Sequence, residues 1–283
     1  MSSRSAIIRA GAAGLIAAVV SVAPAAHALP PTVPPSAPGI PTGVETAFNN
    51  PECVVWDAIT GAWYITNNGL SGGEASIAKL VPGGSPQIVA SGLDAPQGVA
   101  IYNGTFIVAD NANVVFINMA DPTQRTSVSV GSSNDLDVDP SNGDVYVGSI
   151  NGGFIKRIRD GVAESFATIA SPDGVEFQDG GVFVNTLGLA DAASGLFRID
   201  VETQAVTTIA TVPFAAFDGL EQDGNGWLMT DFAHGQLYRV ASDGSLSVLA
   251  QLAPGSAQMG FDPVTRTVAV PNLALGFVVF LTI

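Results

Sequence analysis

The sequence predicts an all-β protein, a six-bladed β-propeller built from four-stranded blades. Two observations predict this fold. A pattern of two apolar, alternating segments around an Asp/Gly/Asn turn recurs six times, at intervals of 37 to 45 residues, which is the length of a propeller blade. The composition agrees, because 32 glycines and 18 prolines in 283 residues disfavour a helical bundle.

The N-terminal 28 residues have the features of a secretory signal peptide. Arg4 and Arg9 precede an apolar stretch from Ala10 to Val20, and an A-x-A cleavage site occupies residues 26–28. The apolar stretch is too short to span a membrane. We therefore expect cleavage after Ala28, secretion to the extracellular space and no membrane span in the mature chain.

Residues 29–42 are proline-rich and lack periodicity, which predicts an extended lead-in to a propeller domain at 43–283. The last repeat ends in the apolar run Phe277–Leu281 and is one strand short of four. The segment Gly43–Asn49 is a candidate strand that precedes the first repeat. We expect it to form the outer strand of the last blade, because this closure removes an exposed sheet edge.

Each repeat consists of two consecutive hairpins, and four strands make one blade. A tight turn such as Ser141-Asn142-Gly143 joins the strands of the first hairpin. The three tryptophans fall within strand patterns, and we expect them to pack between blades.

A polar residue opens every repeat. The innermost strand of each blade lines the central channel, so residues at the same position of the repeat are expected to meet there. The six opening residues are Glu52, Gln97, Asn134, Asp173, Asp218 and Gln258. We expect Asn134 to bind substrate, and Gln97 and Gln258 to line the channel, where they would contact substrate or bond to backbone.

Three of the opening residues, Glu52, Asp173 and Asp218, are carboxylates that would repel one another in a narrow channel. The chain has only 10 Lys and Arg against 25 Asp and Glu, and no opening residue is basic. A bound cation would offset this repulsion. Oxygen ligands favour one divalent ion, calcium first, with magnesium, manganese and zinc as alternatives.

Composition also excludes several classes of function. A net charge of -15 disfavours binding to nucleic acids. Cys53 is the single cysteine, which excludes an internal disulfide and an iron–sulfur cluster. A Ser-His-Asp triad would depend on His234 alone once the signal peptide is removed, and no G-x-S-x-G sequence is present.

The run Asp135-x-Asp137-x-Asp139 has the spacing that begins a calcium-binding helix–loop–helix site. Pro140 stands where that site requires glycine. We interpret the run as a strand with outward-facing aspartates that enters a hairpin.

Three short motifs resemble the gluconolactonase and senescence-marker-protein family. They are Pro51-Glu52-x-x-x-Trp56-Asp57, Asn134-Asp135-Leu136-x-Val138-Asp139 and Asp218-Gly219-Leu220, and the resemblance covers the chain from about Gly43 to its end. That family consists of six-bladed propellers and includes lactone hydrolases that use one divalent ion in the channel.

The resemblance implies roles for individual residues. Glu52 would be a metal ligand, Asp218 a ligand and the general base, and Asn134 a contact to substrate or to a metal-bound water. Asp173 stands where the family usually has an asparagine ligand, which adds a negative charge to the metal site. Ser132 and Ser133 stand where sugar-lactone hydrolases often place an arginine, which favours a less polar lactone or ester.

These observations lead to one functional hypothesis and two alternatives. We expect a secreted, monomeric, metal-dependent hydrolase that acts on a small lactone or a related ester. The first alternative is a secreted, non-catalytic propeller that binds a small ligand or a protein and holds a structural cation. A lyase or condensing enzyme on a related propeller is the second, and the sequence offers no positive signature for it.

Overall fold

The computed structural model of the chain describes residues 40–188 and 194–283. The predicted signal peptide and residues 29–39 of the predicted lead-in lie outside the described residues. The described residues form twenty-four strands in six four-stranded antiparallel sheets. No helix among them is long and apolar enough to cross a membrane.

Strand β1 (Ile40–Glu45) precedes the repeats, and the next twelve strands form blades 1 to 3 in chain order. Blade 1 contains β2 (Pro51–Asp57), β3 (Ala62–Asn67), β4 (Ser76–Leu80) and β5 (Gln87–Ser91). Blade 2 contains β6 (Pro96–Tyr102), β7 (Thr105–Asp110), β8 (Asn113–Asn118) and β9 (Arg125–Ser129). Blade 3 contains β10 (Leu136–Val138), β11 (Val145–Ser149), β12 (Phe154–Arg159) and β13 (Val162–Thr168).

The remaining strands form blades 4 to 6. Blade 4 contains β14 (Pro172–Gln178), β15 (Gly181–Thr186), β16 (Ser194–Asp200) and β17 (Val206–Val212). Blade 5 contains β18 (Phe217–Gln222), β19 (Gly226–Asp231), β20 (Gln236–Ala241) and β21 (Leu246–Gln251). Blade 6 contains β22 (Gly260–Asp262), β23 (Thr267–Asn272), β24 (Phe277–Thr282) and, as its outer strand, β1.

The six blades form a closed ring. The innermost strands contact one another in the order β2, β6, β10, β14, β18 and β22, and β22 returns to β2. A parallel bridge between Cys53 and Gln258 joins the first blade to the last. The predicted six-bladed propeller with four-stranded blades is therefore confirmed.

The predicted closure by an N-terminal strand is also confirmed. Strand β1 pairs antiparallel with β24, with Val44 opposite Val279. The strand begins at Ile40 and ends at Glu45, whereas the sequence predicted a strand over residues 43–49. The chain has to leave blade 6 before it enters blade 1, and Asn50, with a φ of 52°, turns it into β2.

Apolar side chains pack between the faces of neighbouring blades. Trp63 of blade 1 lies 5.8 Å from Phe280 of blade 6, and Trp227 of blade 5 lies 4.1 Å from Phe183 of blade 4, between ring centroids. Such aromatic contacts stabilise a structure beyond the burial of apolar area. Trp63 and Trp227 thus pack between blades as expected.

Candidate functional site

A β-bulge includes the opening residue in blades 1, 2, 4 and 5. In each of these blades the pairing of the innermost strand with its neighbour changes register at this point, for example between Pro172 and Val175. Bulges redirect side chains and are common beside functional sites. Here they interrupt the alternation of the sheet where the opening residues lie.

Buried polar side chains on the second strands hold the bulges of blades 4 and 5. In blade 4, Asn185 accepts a hydrogen bond from the backbone N–H of Gly174 at 2.8 Å and donates one to the carbonyl oxygen of Gly219 in blade 5 at 2.9 Å. In blade 5, Thr230 accepts from the N–H of Gly219 at 2.8 Å and donates to the carbonyl oxygen of Ala257 in blade 6 at 3.0 Å. The same side chains therefore hold the bulged backbone of one blade and the distance to the next blade.

The structure brings Glu52, Asp173 and Asp218 together at the end of the channel where the innermost strands begin. All three are buried. Burial raises the pKa of Glu52 well above its usual value, and the charges of Asp218 and Asp135 raise it further. The pKa of Asp173 is also raised well above its usual value. Burial is the largest cause, followed by the charges of Asp218, Glu52 and Asp135. The pKa of Asp218 is raised by burial and by Asp135.

No basic side chain neutralises this cluster among the described residues, because none of their ion pairs includes Glu52, Asp173 or Asp218. The buried Oε2 atom of Glu52 has no hydrogen-bond partner. An unpaired, buried carboxylate oxygen is costly. The side chains of the cluster offer only oxygen atoms, which is the ligand type that hard divalent cations prefer.

The three carboxylates lie near one another, but their oxygen atoms are not arranged as the ligands of a metal ion. Within residues 40–188 and 194–283, no three His, Cys, Asp or Glu side chains are already arranged as a metal-binding group. Asn134 contacts the cluster, since its Nδ2 atom donates a hydrogen bond to Oδ1 of Asp173. That bond lowers the pKa of Asp173, against the larger effect of burial.

The two glutamines among the opening residues differ from each other. Gln258 accepts a hydrogen bond from the N–H of Leu220 at 2.8 Å and donates one to the carbonyl oxygen of the same residue at 3.0 Å. Of the two roles expected for Gln258, hydrogen bonding to the backbone is the one that the structure shows, and both its amide oxygen and its amide nitrogen take part. The side chain of Gln97 is half-buried and makes no hydrogen bond to another described residue.

The expectation of outward-facing aspartates at 135, 137 and 139 is wrong. Asp135 is buried, and its Oδ2 atom accepts a hydrogen bond from the N–H of Val175 in blade 4 at 2.7 Å. Burial raises its pKa to about 8. The innermost strand of a propeller has no face toward bulk solvent, which explains the error. Asp139 does enter a hairpin, where its Oδ1 atom accepts from the N–H of Ser141 at 2.9 Å.

A histidine–aspartate pair lies in blade 5. His234 Nδ1 is 2.8 Å from Oδ2 of Asp231, and the aspartate side chain is 1% exposed whereas the imidazole is 55% exposed. Asp231 pairs with Phe217, next to Asp218. The pair therefore lies at the same end of the blade as the carboxylate cluster. His234 stands out in the sequence as the histidine that remains after the signal peptide, but its partner does not, although a spacing of three residues is typical of a turn.

Comparison with known proteins identifies the fold. No protein-family profile matches the chain, and no curated protein matches it in sequence. A gluconolactonase from Xanthomonas campestris is similar in structure, with a TM-score of 0.63 and 15% identity over 88% of this chain and 99% of that one. Virginiamycin B lyase from Staphylococcus aureus has a TM-score of 0.62 and 13% identity, over 85% of this chain and 99% of that one.

An auxiliary nutrient binding protein from Bacteroides ovatus is also similar, with a TM-score of 0.68 and 11% identity over 83% of this chain and 69% of that one. At these identities the shared feature is the propeller fold. The resemblance to gluconolactonases seen in the sequence is thus confirmed at the level of the fold.

Proposed function

We propose that the chain is a secreted, metal-dependent hydrolase that opens a lactone or cleaves a related ester. One observation carries the proposal: three buried carboxylates meet at one end of the channel without a basic partner, and Oε2 of Glu52 has no hydrogen bond. The structural similarity to a gluconolactonase supports the same class of reaction.

Glu52, Asp173 and Asp218 would hold one divalent cation, with calcium the first candidate. When bound, such an ion supplies a positive charge that polarises the substrate carbonyl and stabilises the developing oxyanion. The side chains contribute only oxygen ligands, so a hard ion suits them better than zinc. Asn134 would keep Asp173 oriented through the hydrogen bond between their side chains.

Asp218 would act as the general base. It would accept a proton from the water that attacks the substrate carbonyl, the bond from the carbonyl carbon to the ring oxygen would break, and the proton would pass to that oxygen. The product is a hydroxy acid. Burial raises the pKa of Asp218, so the residue requires positive charge nearby to be ionised at neutral pH.

The region before Asn134 favours a substrate less polar than a sugar lactone. Ser133 is buried, and its single hydroxyl proton lies between two acceptors, the carbonyl oxygens of Asn111 and Asn113 at 3.0 and 3.1 Å. It therefore offers no charge and no free donor to a polyhydroxy acid. The free amide of Gln97 is the side chain that we expect to contact the substrate.

The experiment is a hydrolysis screen on the purified mature protein. A panel of sugar lactones, aliphatic lactones and aryl esters would be assayed with calcium, magnesium, manganese or chelator. We expect turnover of a lactone or ester that chelator abolishes and that Asp218→Asn reduces by about 100-fold or more. Turnover that chelator and Asp218→Asn leave unchanged contradicts it.

A second candidate is a non-catalytic secreted propeller that binds a small ligand or a protein and holds a structural cation. The similarity to the nutrient binding protein from Bacteroides ovatus favours it, because the same fold serves binding there. Stabilisation by calcium without turnover of any lactone or ester would support this candidate over the hydrolase.

A further inference from the structure

The turn that joins β19 to β20 in blade 5 has a counterpart in blade 6. In both turns the last residue of the second strand accepts a hydrogen bond from the backbone N–H three residues later. Asn272 Oδ1 accepts from the N–H of Leu275 at 2.9 Å, and Asp231 Oδ1 accepts from the N–H of His234 at 3.2 Å. A neutral amide and an aliphatic side chain are therefore sufficient for this turn. The carboxylate and the imidazole of blade 5 are more than it requires.

The contact between Asp231 and His234 fixes the state of the imidazole ring. Oδ1 of Asp231 also accepts from the N–H groups of Ala216 and Ala233 at 3.3 and 3.1 Å, and the side chain is 1% exposed. The other oxygen, Oδ2, lies 2.8 Å from Nδ1 of His234. Because a carboxylate only accepts hydrogen bonds, Nδ1 carries the hydrogen and Nε2 of the neutral ring has a free lone pair. Nε2 can therefore take up a proton.

The imidazole lies one strand away from the proposed general base. Asp231 pairs with Phe217, which directly precedes Asp218, and neighbouring strands lie about 4.8 Å apart. Gln251 of the outer strand holds the turn, because its Nε2 atom donates to the carbonyl oxygen of His234 at 2.8 Å. The ring of His234 is thus held at the end of the blade where the innermost strand begins, and more than half of it is exposed to solvent.

His234 is the only basic side chain in the loops at this end of the described propeller. The Lys and Arg residues of the described chain lie within strands, apart from Arg266. Arg266 lies in the turn from β22 to β23, at the opposite end of blade 6. The carboxylate cluster therefore has one nearby nitrogen base that can exchange protons with solvent.

Hydrolysis of a lactone or an ester releases one proton in each turnover. The product is a carboxylic acid, and a pKa of about 4 leaves such an acid ionised at neutral pH. Burial raises the pKa of Asp218 well above its usual value, so this residue readily takes up a proton that stays in the channel. A protonated Asp218 cannot act as the base of the next turnover. A second base that removes the proton prevents this inhibition.

We propose that His234 accepts the released proton at the mouth of the channel and that Asp231 is its positioning residue. This inference rests on the proposed hydrolase. The O–H bond of the product acid breaks, the proton passes through water to Nε2, and the product leaves as a carboxylate. The buried carboxylate of Asp231 stabilises the imidazolium ion that forms. Nε2 then gives the proton to a buffer base or to water, which restores the neutral ring.

The test is steady-state hydrolysis by the wild type, His234→Gln and Asp231→Asn in dilute buffer, with and without added imidazole. Asp231→Asn keeps the acceptor that the turn needs, as Asn272 does in blade 6. In dilute buffer we expect kcat of both variants to fall about tenfold or more, with KM unchanged. Free imidazole can replace the missing side chain, so kcat of His234→Gln should rise with imidazole concentration while that of the wild type stays constant.

Leu275→Gln is the matched control, because it changes the same position of the equivalent turn in blade 6. Its kcat should equal that of the wild type in every buffer. A wild-type kcat in His234→Gln would overturn the inference and leave the hydrolase intact. A loss that imidazole does not restore would also overturn it, because it would indicate a purely structural role. A wild type without turnover would overturn the proposed hydrolase and this role with it.

Nitrogen NMR of the mature protein is a second measurement, and it needs no substrate. His234 is the only histidine outside the predicted signal peptide, so its ring gives the only imidazole signals. We expect the neutral ring to carry its hydrogen on Nδ1 in the wild type. In Asp231→Asn we expect the hydrogen on Nε2, because the amide of asparagine can donate to Nδ1. A wild-type ring with its hydrogen on Nε2 would overturn the inference.

Discussion

The backbone N–H of Gln258 donates a hydrogen bond to the carbonyl oxygen of Glu52 at 3.0 Å, although more than 200 residues separate them. The N–H of Val54 donates to the carbonyl oxygen of Gln258 at 3.1 Å in return. The opening residues of the first and last blades are thus neighbours. The candidate site is complete only when the ring is closed, so its properties depend on the closure as well as on the carboxylates.

Replacing Glu52 by glutamine should remove the response to calcium. Calcium at about 100 times its dissociation constant should stabilise the wild type by about 2.7 kcal/mol. Glu52→Gln should gain less than half of this, because it lacks the carboxylate oxygen that has no partner in the structure. Thermal melting of the wild type and of Glu52→Gln, with calcium and with chelator, measures the stabilisation by calcium in each. Glu202→Gln is the control, because Glu202 is exposed on the turn after β16. An undiminished calcium response in Glu52→Gln would exclude Glu52 as a ligand.

Replacement by alanine should have different effects on stability at the two glutamines of the channel. Gln258→Ala leaves the N–H and the carbonyl group of Leu220 without partners and should cost about 2 to 4 kcal/mol of unfolding free energy. Gln97→Ala should change that free energy by less than about 0.5 kcal/mol and raise KM for the substrate. Chemical unfolding and steady-state kinetics test the pair, and a large stability loss in Gln97→Ala would contradict their assigned roles.

The closing strand should be essential and the residues before it dispensable. A chain of residues 46–283 lacks β1 and exposes the edge of β24, so it should form concentration-dependent oligomers and melt about 10 °C lower. A chain of residues 40–283 retains the strand and is the matched control. Light scattering and calorimetry would compare them. Equal melting temperatures would show that β1 does not hold the ring closed.

The approach of blades 4 and 5 leaves no room for a side chain at Gly174. A Cβ atom there would lie 2.6 Å from the carbonyl oxygen of Asp218. Gly174→Ala should therefore cost more than about 2 kcal/mol and weaken cation binding, because the two blades must separate. Gly43 has open space around its Cβ position, and Gly43→Ala should stay within about 0.5 kcal/mol of the wild type. Chemical unfolding decides between these outcomes.

The ring and its channel residues were predictable because each blade repeats the same pattern. The interval between Glu52 and Asp218 is long, yet a shared position in the repeat places both on innermost strands. The bounds of β1 were less predictable. No glycine or proline stands between Glu45 and Asn50 to mark the end of the strand, whereas the strand ends at Glu45, where the chain must turn toward Asn50.

The contacts between blades could not be derived from the sequence. Whether Gln258 contacts substrate or backbone depends on how closely Leu220 of the neighbouring blade approaches it.

The most direct test of the central claim is a crystal structure of the mature protein soaked with manganese, with anomalous scattering used to locate the ion. We expect one strong peak in the channel, in contact with carboxylate oxygens of Glu52, Asp173 and Asp218, and we expect this peak to be lost in Glu52→Gln. A channel without a peak, or an ion bound away from these three residues, would contradict it.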